Sequence, residues 1–287
     1  MSKSPFLESV RAEIRTRHYS YQTEKTYLYW IKCFIRFNDY KHPEVMGNFE
    51  IERFLTHLAI NKQVSAATQN QALCAIIFVY KNILKKNTDN LNFRFTKCQI
   101  SMPVVISQQE AVSIINLMSG KYQLICSLLF GAGLRINEAL RLRIKDLDFN
   151  NQSIFIFRGK GNKDRYTLLP ASLVSKLKNQ IDCATRLHHK DISDGYGLTS
   201  FPISLIKKYG NAAKDLSWQY LFASSTRCVH PQDGYICRHH IHESAFRKQL
   251  RKAVLESGIR KRVTAHTFRH SFAEILRNGN CPGVTRP

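Results

Sequence analysis

Residues 131–142 read GAGLRINEALRL, and the fold turns on this stretch. Gly131 and Gly133 remove side chains where backbone can approach a ligand closely, and Arg135 follows at the start of an apolar-periodic run that predicts a helix. Glu138 falls one turn further on, where its carboxylate can orient the Arg135 guanidinium. Downstream, residues 153–170 read SIFIFRGKGNKDRYTLLP, apolar on either side of a glycine-containing turn, which predicts a β-hairpin with Lys160 in its tip. Residues 264–273 read TAHTFRHSFA and place His266 and Arg269 three apart on one helical face. Two guanidiniums, an ammonium and an imidazole suit in-line displacement at a phosphodiester. The pentacovalent transition state gathers negative charge on its non-bridging oxygens, and guanidinium forks meet those oxygens with paired, charge-assisted hydrogen bonds. Lysine or histidine can protonate the departing 5′ oxygen. Each group alone reads equally well as a solvated surface charge. Their order and their helix and strand contexts carry the reading.

Composition agrees with a polyanionic partner. Lys and Arg number 43 against 21 Asp and Glu, for a net charge of +22, while 44% apolar residues supply an ordinary core. A merely solvated basic surface is the alternative, but an excess of this size is the electrostatic footprint of a nucleic-acid binder. No apolar run is long enough to span a bilayer, and residues 1–17 lack the apolar centre of a signal peptide. The expectation is a cytoplasmic protein, nucleoid-associated if bacterial. The eight cysteines follow no framework spacing, so they are expected to be mostly reduced and packed as small apolar groups. Residues 228–242, CVHPQDGYICRHHIH, gather Cys228, His230, Cys237, His239, His240 and His242, which raises a zinc-stabilised nucleic-acid module as an alternative. Their spacing matches none of the common zinc patterns, so no metal site is assigned.

Along the chain, residues 1–87 read as four short-looped helices, a small bundle. Ser4 is the N-cap and Pro5 the first helical residue of the first. Tyr27, Trp30, Ile31, Phe34 and Phe37 form an aromatic stripe on the second, expected in the core; Asn48 is expected to cap the third. Residues 88–106 read as a polar linker. SQQE at 107–110 is a capping box that opens a second domain, residues 107–287. That domain is mainly helical around the hairpin. An irregular insertion occupies about 191–242, with a short helical island at FPISLIKKYG. The basic helix after it ends at Gly258.

The three motifs together resemble the first arginine box, the hairpin lysine and the H-x-x-R box of the tyrosine recombinases. Residues 16–37, TRHYSYQTEKTYLYWIKCFIRF, with HP and MG soon after, are similar to their core-binding domain. WQYLFAS and RHH within the insertion narrow the resemblance to integron integrases. The resemblance, which covers residues 1 to about 278, implies a mainly α fold with a small β-hairpin or sheet. It also implies two domains clamped around DNA, no metal, no nucleotide cofactor and a homo-oligomer on the DNA. Arg135, Lys160, His266 and Arg269 would be catalytic. Trp218, Pro231, His239 and His240 would grip bases flipped out of a folded single-stranded recombination site, consistent with an aromatic and imidazoles in a basic loop.

The resemblance stops after HSFA and the next few helical residues. The family's pattern continues with a His or Trp in an L-G-H-like box and then a nucleophilic tyrosine. Here Tyr235 is the last tyrosine, and the tail EILRNGNCPGVTRP is rich in helix breakers. The expectation is a truncated or frameshifted tail, a cleavage-defective catalytic domain and weakened assembly. Cys281, the one strong nucleophile further on, has nothing to hold it.

Overall fold

The computed structural model describes residues 4–86, 96, 102–159, 161, 163–201 and 203–277. The chain divides into two compact units, Met1–Ser101 and Met102–Pro287. Most of the expected linker 88–106, together with Lys160 and the tail 278–287, lies outside the described residues.

The first unit holds α1 (Pro5–Thr16), α2 (Tyr21–Phe37), α3 (Asn48–Ile60) and α4 (Ala66–Phe78). Trp30, Ile31 and Phe34 of the aromatic stripe are buried, and Tyr27 and Phe37 pack against the same core. Buried Glu24 on α2 accepts from Arg11 at 3.1 Å and from Arg15 at 2.8 Å, tying α1 to α2. One local expectation needs correction. Gly47, not Asn48, is the N-cap of α3, because the Glu50 carboxylate reaches back to accept the Gly47 N–H at 2.7 Å. The fourth helix changes to a π-helical turn at Val79–Ile83, where buried Tyr80 donates its hydroxyl to the Met46 carbonyl at 3.1 Å.

The capping box expected at 107–110 is present in the second unit. Ser107 and Glu110 exchange hydrogen bonds at the start of α5 (Gln108–Asn116). Next come α6 (Gly120–Gly131), with Leu124 through Cys126 and Leu128 through Phe130 all buried, and the short α7 (Ile136–Leu140). An antiparallel sheet in the order β1–β2–β3 follows: β1 (Leu147–Asp148), β2 (Ser153–Ile156) and β3 (Arg165–Leu168). The expected hairpin is β2–β3, with Ile156 opposite Arg165. Asp148 adds the third strand by accepting the Asn150 and Asn151 amides at 3.0 and 2.9 Å, which folds the chain back into β2.

After α8 (Val174–Ser193) comes the insertion, and it is more ordered than its composition suggests. The helical island is α9 (Ile203–Tyr209), and β4 (Cys228–Val229) pairs with β5 (Ile236–Cys237). Phe201, Leu221, Phe222 and Cys237 within the insertion are buried. Cys126 is buried too, but Cys183 and Cys228 are exposed, so packing as small apolar groups holds for only some of the cysteines. The unit ends in α10 (Glu243–Glu256) and α11 (Ala265–Arg277), with Phe268 of α11 meeting Phe130 of α6 edge-on at 6.4 Å. Among the described residues no helix is long and apolar enough to cross a membrane.

Candidate active site and nucleic-acid interface

Arg135 stands at the N-cap of α7 in extended backbone, and Glu138 at the third helical position reaches back to it. Glu138 Oε2 accepts the Arg135 amide at 2.8 Å, and Oε1 accepts the Arg135 guanidinium at 2.7 Å. The same carboxylate accepts Arg165 Nη2 from the first residue of β3 at 2.6 Å. Arg269 Nη1 on α11 lies 3.6 Å from Glu138 Oε2 and donates to the Gly133 carbonyl. Three arginines from three elements therefore converge on one carboxylate. Glu138 has an 8% exposed side chain, while the three arginine side chains are 28–33% exposed, so the anion is enclosed and the cations remain accessible. Burial pushes the Glu138 pKa up, but the hydrogen bonds from Arg135 and the charges of Arg165 and Arg135 outweigh it and hold the group below its ordinary value. Burial first, and then the neighbouring charge of Arg135, lowers the pKa of Arg269. The geometry is that of an anion seat with surplus positive charge.

The glycines serve a purpose the sequence reading misjudged. Gly133 has φ +62°, and a Cβ there would overlap the Phe272 ring of α11; a Cβ on Gly131 would stand 3.1 Å from Pro170 Cγ. Both glycines make room for internal packing rather than for a ligand. The loop they form is clamped from two sides. Thr167 Oγ1 of β3 donates to the Ala132 carbonyl at 3.0 Å, and Arg269 holds Gly133.

His266 is exposed on the first turn of α11, one turn from Arg269. The turn itself is fixed by Thr264 and Thr267, the Thr264 amide donating to Thr267 Oγ1 at 3.0 Å. Lys160 follows Gly159, whose amide donates to the Lys163 carbonyl at 2.9 Å and whose Cα would direct a Cβ to 3.3 Å from Glu138 Oε1. The base of the hairpin turn thus lies beside the arginine cluster. Arg165 is the residue the sequence reading passed over. Its signal is period two on β3, since Arg165 and Thr167 share the strand face turned towards residues 132–138.

In the insertion, the histidine pair packs against Tyr220, while Trp218 belongs to a second group of rings joined to Tyr220 through Arg143. Trp218 packs edge-on against Phe201 at 5.0 Å and against Tyr209 at 5.5 Å, with the Lys145 ammonium 3.1 Å from its ring centre. The Tyr220 ring lies 5.4 Å from His239 and 5.2 Å from His240, and the two imidazoles are 4.0 Å apart. Burial, followed by the neighbouring charge of His239, lowers the His240 pKa to about 4, and burial lowers His239 as well. Both rings are therefore neutral at physiological pH and offer stacking faces rather than charge. Pro231 stands apart from this group, exposed in the turn between β4 and β5.

The six residues of the zinc alternative are dispersed. Cys228 faces Cys237 across β4–β5, His230 stacks on Tyr235 at 4.8 Å and pairs with Asp233, and His242 caps α10. Among the described residues no group of three or more His, Cys, Asp or Glu is placed to hold a metal ion.

The comparisons with known proteins agree with this architecture. Residues 6–90 match the phage integrase N-terminal SAM-like domain, and residues 105–283 match the phage integrase family. An integrase/recombinase of Escherichia coli is 38% identical over 275 residues, spanning 95% of this chain and 82% of its own length. The tyrosine recombinase XerD of Rickettsia bellii is 25% identical over 246 residues, 80% of this chain and 70% of that one. Among solved structures, a lambda integrase dimer bound to a COC′ core site has a TM-score of 0.63, covering 97% of this chain and 91% of that one at 14% identity, a likeness of fold. The chain belongs to the phage integrase family of site-specific tyrosine recombinases.

Proposed function

We propose that this chain is a DNA strand-exchange protein of the integron-integrase type, acting on gene-cassette recombination sites in duplex and folded single-stranded form. The observation that carries the reading is the convergence of Arg135, Arg165 and Arg269 on Glu138. Arg135 and Arg269 grip the non-bridging oxygens of the scissile phosphate, each such donor contributing about 3–4 kcal/mol to the transition state. Lys160 from the hairpin turn protonates the leaving 5′ oxygen, and exposed His266 assists from α11. Arg165 shares the carboxylate that orients Arg135. The protein works as a homo-oligomer on DNA in the bacterial nucleoid, with residues 1–87 as the core-binding domain.

Within residues 1–287 no tyrosine follows Arg269, so a polypeptide of these residues alone seats the phosphate without breaking it. A nicked suicide substrate tests this. The expected result is a complex that dissociates on denaturation, and an adduct that survives denaturation would refute it.

The insertion supports recognition of unpaired bases. Trp218 on one side and the His239–His240 pair on Tyr220 on the other offer aromatic rings for stacking, and each stacked base contributes about 1–3 kcal/mol. Pro231, exposed in the turn between β4 and β5, joins this set on the family resemblance alone.

A further inference from the structure

Arg143 leaves α7 directly and enters the turn Ile144–Asp146, so its main chain belongs to the phosphate-site side of the unit. Its side chain reaches into the insertion. Nη1 donates to the Trp218 carbonyl, and Nη2 donates to the Ser200 carbonyl at 3.1 Å and to the Tyr220 hydroxyl at 3.4 Å. The guanidinium carbon lies 4.6 Å from the Phe201 ring centre and 4.5 Å from that of Tyr220. Its backbone bridges to Tyr220, and its own amide is held by Asp146 Oδ2 at 2.9 Å. A planar fork that donates from its edges while its carbon rests near two rings is fixed in orientation. An ammonium supplies a point charge and cannot reproduce both contacts.

We propose that Arg143 is a positioning residue for base capture: it fixes Trp218 and Tyr220 relative to α7, and hence to the Arg135–Glu138 pair, and it does not itself contact DNA. The base that stacks on the insertion is thereby registered against the phosphate seat through a stretch of only nine residues, Arg135 to Arg143. The inference rests on the base-recognition reading of the insertion given above.

The chain has two tryptophans, so in a Trp30→Phe background the tryptophan fluorescence comes from Trp218 alone. Arg143→Lys is expected to raise acrylamide quenching of Trp218. It is also expected to weaken binding to a DNA hairpin with one extrahelical base by about tenfold. Binding to the same hairpin without the extra base, and the salt dependence of both, should not change. Phe201→Leu, which removes one ring beside the guanidinium, should give a smaller loss in the same direction and provides the test if Arg143→Lys does not fold. Unchanged quenching in both variants overturns the proposal. Equal losses on the two hairpins, with the salt slope reduced by about one, also overturn it by marking Arg143 as a phosphate contact. If the unsubstituted protein does not distinguish the hairpins while quenching responds as expected, base recognition by the insertion fails and Arg143 stands as the anchor of Trp218.

Discussion

Glu138 is one carboxylate shared by three guanidiniums, and replacing it separates its electrostatic role from its packing role. Glu138→Gln keeps the volume and loses the charge, leaving Arg135, Arg165 and Arg269 to repel one another. Its cost should be about 2 kcal/mol in urea unfolding near neutral pH. Because the folded-state pKa is lowered, the Glu138 contribution is present above the ordinary carboxylate pKa and is lost as pH falls through the lowered value. The stability gap between the two proteins should therefore close on acidification below about pH 4. A gap that does not narrow at all on acidification would mean that shape, rather than charge, accounts for the loss. At this scale the sequence was partly legible. Arg135 and Glu138 are one helical turn apart and His266 and Arg269 lie on one face, so local spacing exposes them. Arg165 and Arg143 act across 27 and 75 residues respectively, and no local period reports partners at that separation.

The helices follow from their apolar period and end signals, whereas the insertion does not. Strands of two residues, such as β4 and β5, are too short to display alternation, and they are held by contacts from elsewhere. The chief of these is Arg238, 6% exposed, whose guanidinium grips Asp191, 1% exposed, near the end of α8. Arg227 adds a second contact to Asp191 at 3.3 Å and one to Asp194 at 2.8 Å. Removing one side of a buried pair strands the other. Asp191→Asn is expected to destabilise the second unit by about 3–5 kcal/mol and to loosen β4–β5. Hydrogen exchange should report this as lost protection at Arg238, whose amide donates to the Leu198 carbonyl at 2.9 Å. Unaltered exchange there would show that the insertion holds its shape without α8. The hairpin turn at Gly159 was anticipated by composition, but the real reason for Gly133 was not, because the Phe272 ring that requires it comes from α11, 139 residues away in sequence.

For the molecule as a whole, the net charge of +22 governs association more than folding. Phosphate contacts release counterions, so the binding constant for duplex DNA should fall linearly on a log–log plot against salt. The loss should be about a thousandfold between 50 and 200 mM. Fluorescence anisotropy with a labelled duplex measures it, and a flat plot would remove the electrostatic account of DNA affinity. Charge balance was the most easily read property of the sequence and the least informative about architecture, since many folds can carry it. The cluster at Glu138 gives that charge a local form, because one carboxylate cannot neutralise three arginines. Left vacant, the seat sets two uncompensated cations against each other. On the proposed function, a tetrahedral oxyanion lodged there would relieve that strain and add its binding free energy to the cohesion of the unit. Engagement and rigidity would then rise together, and the domain would be firmest when holding its target.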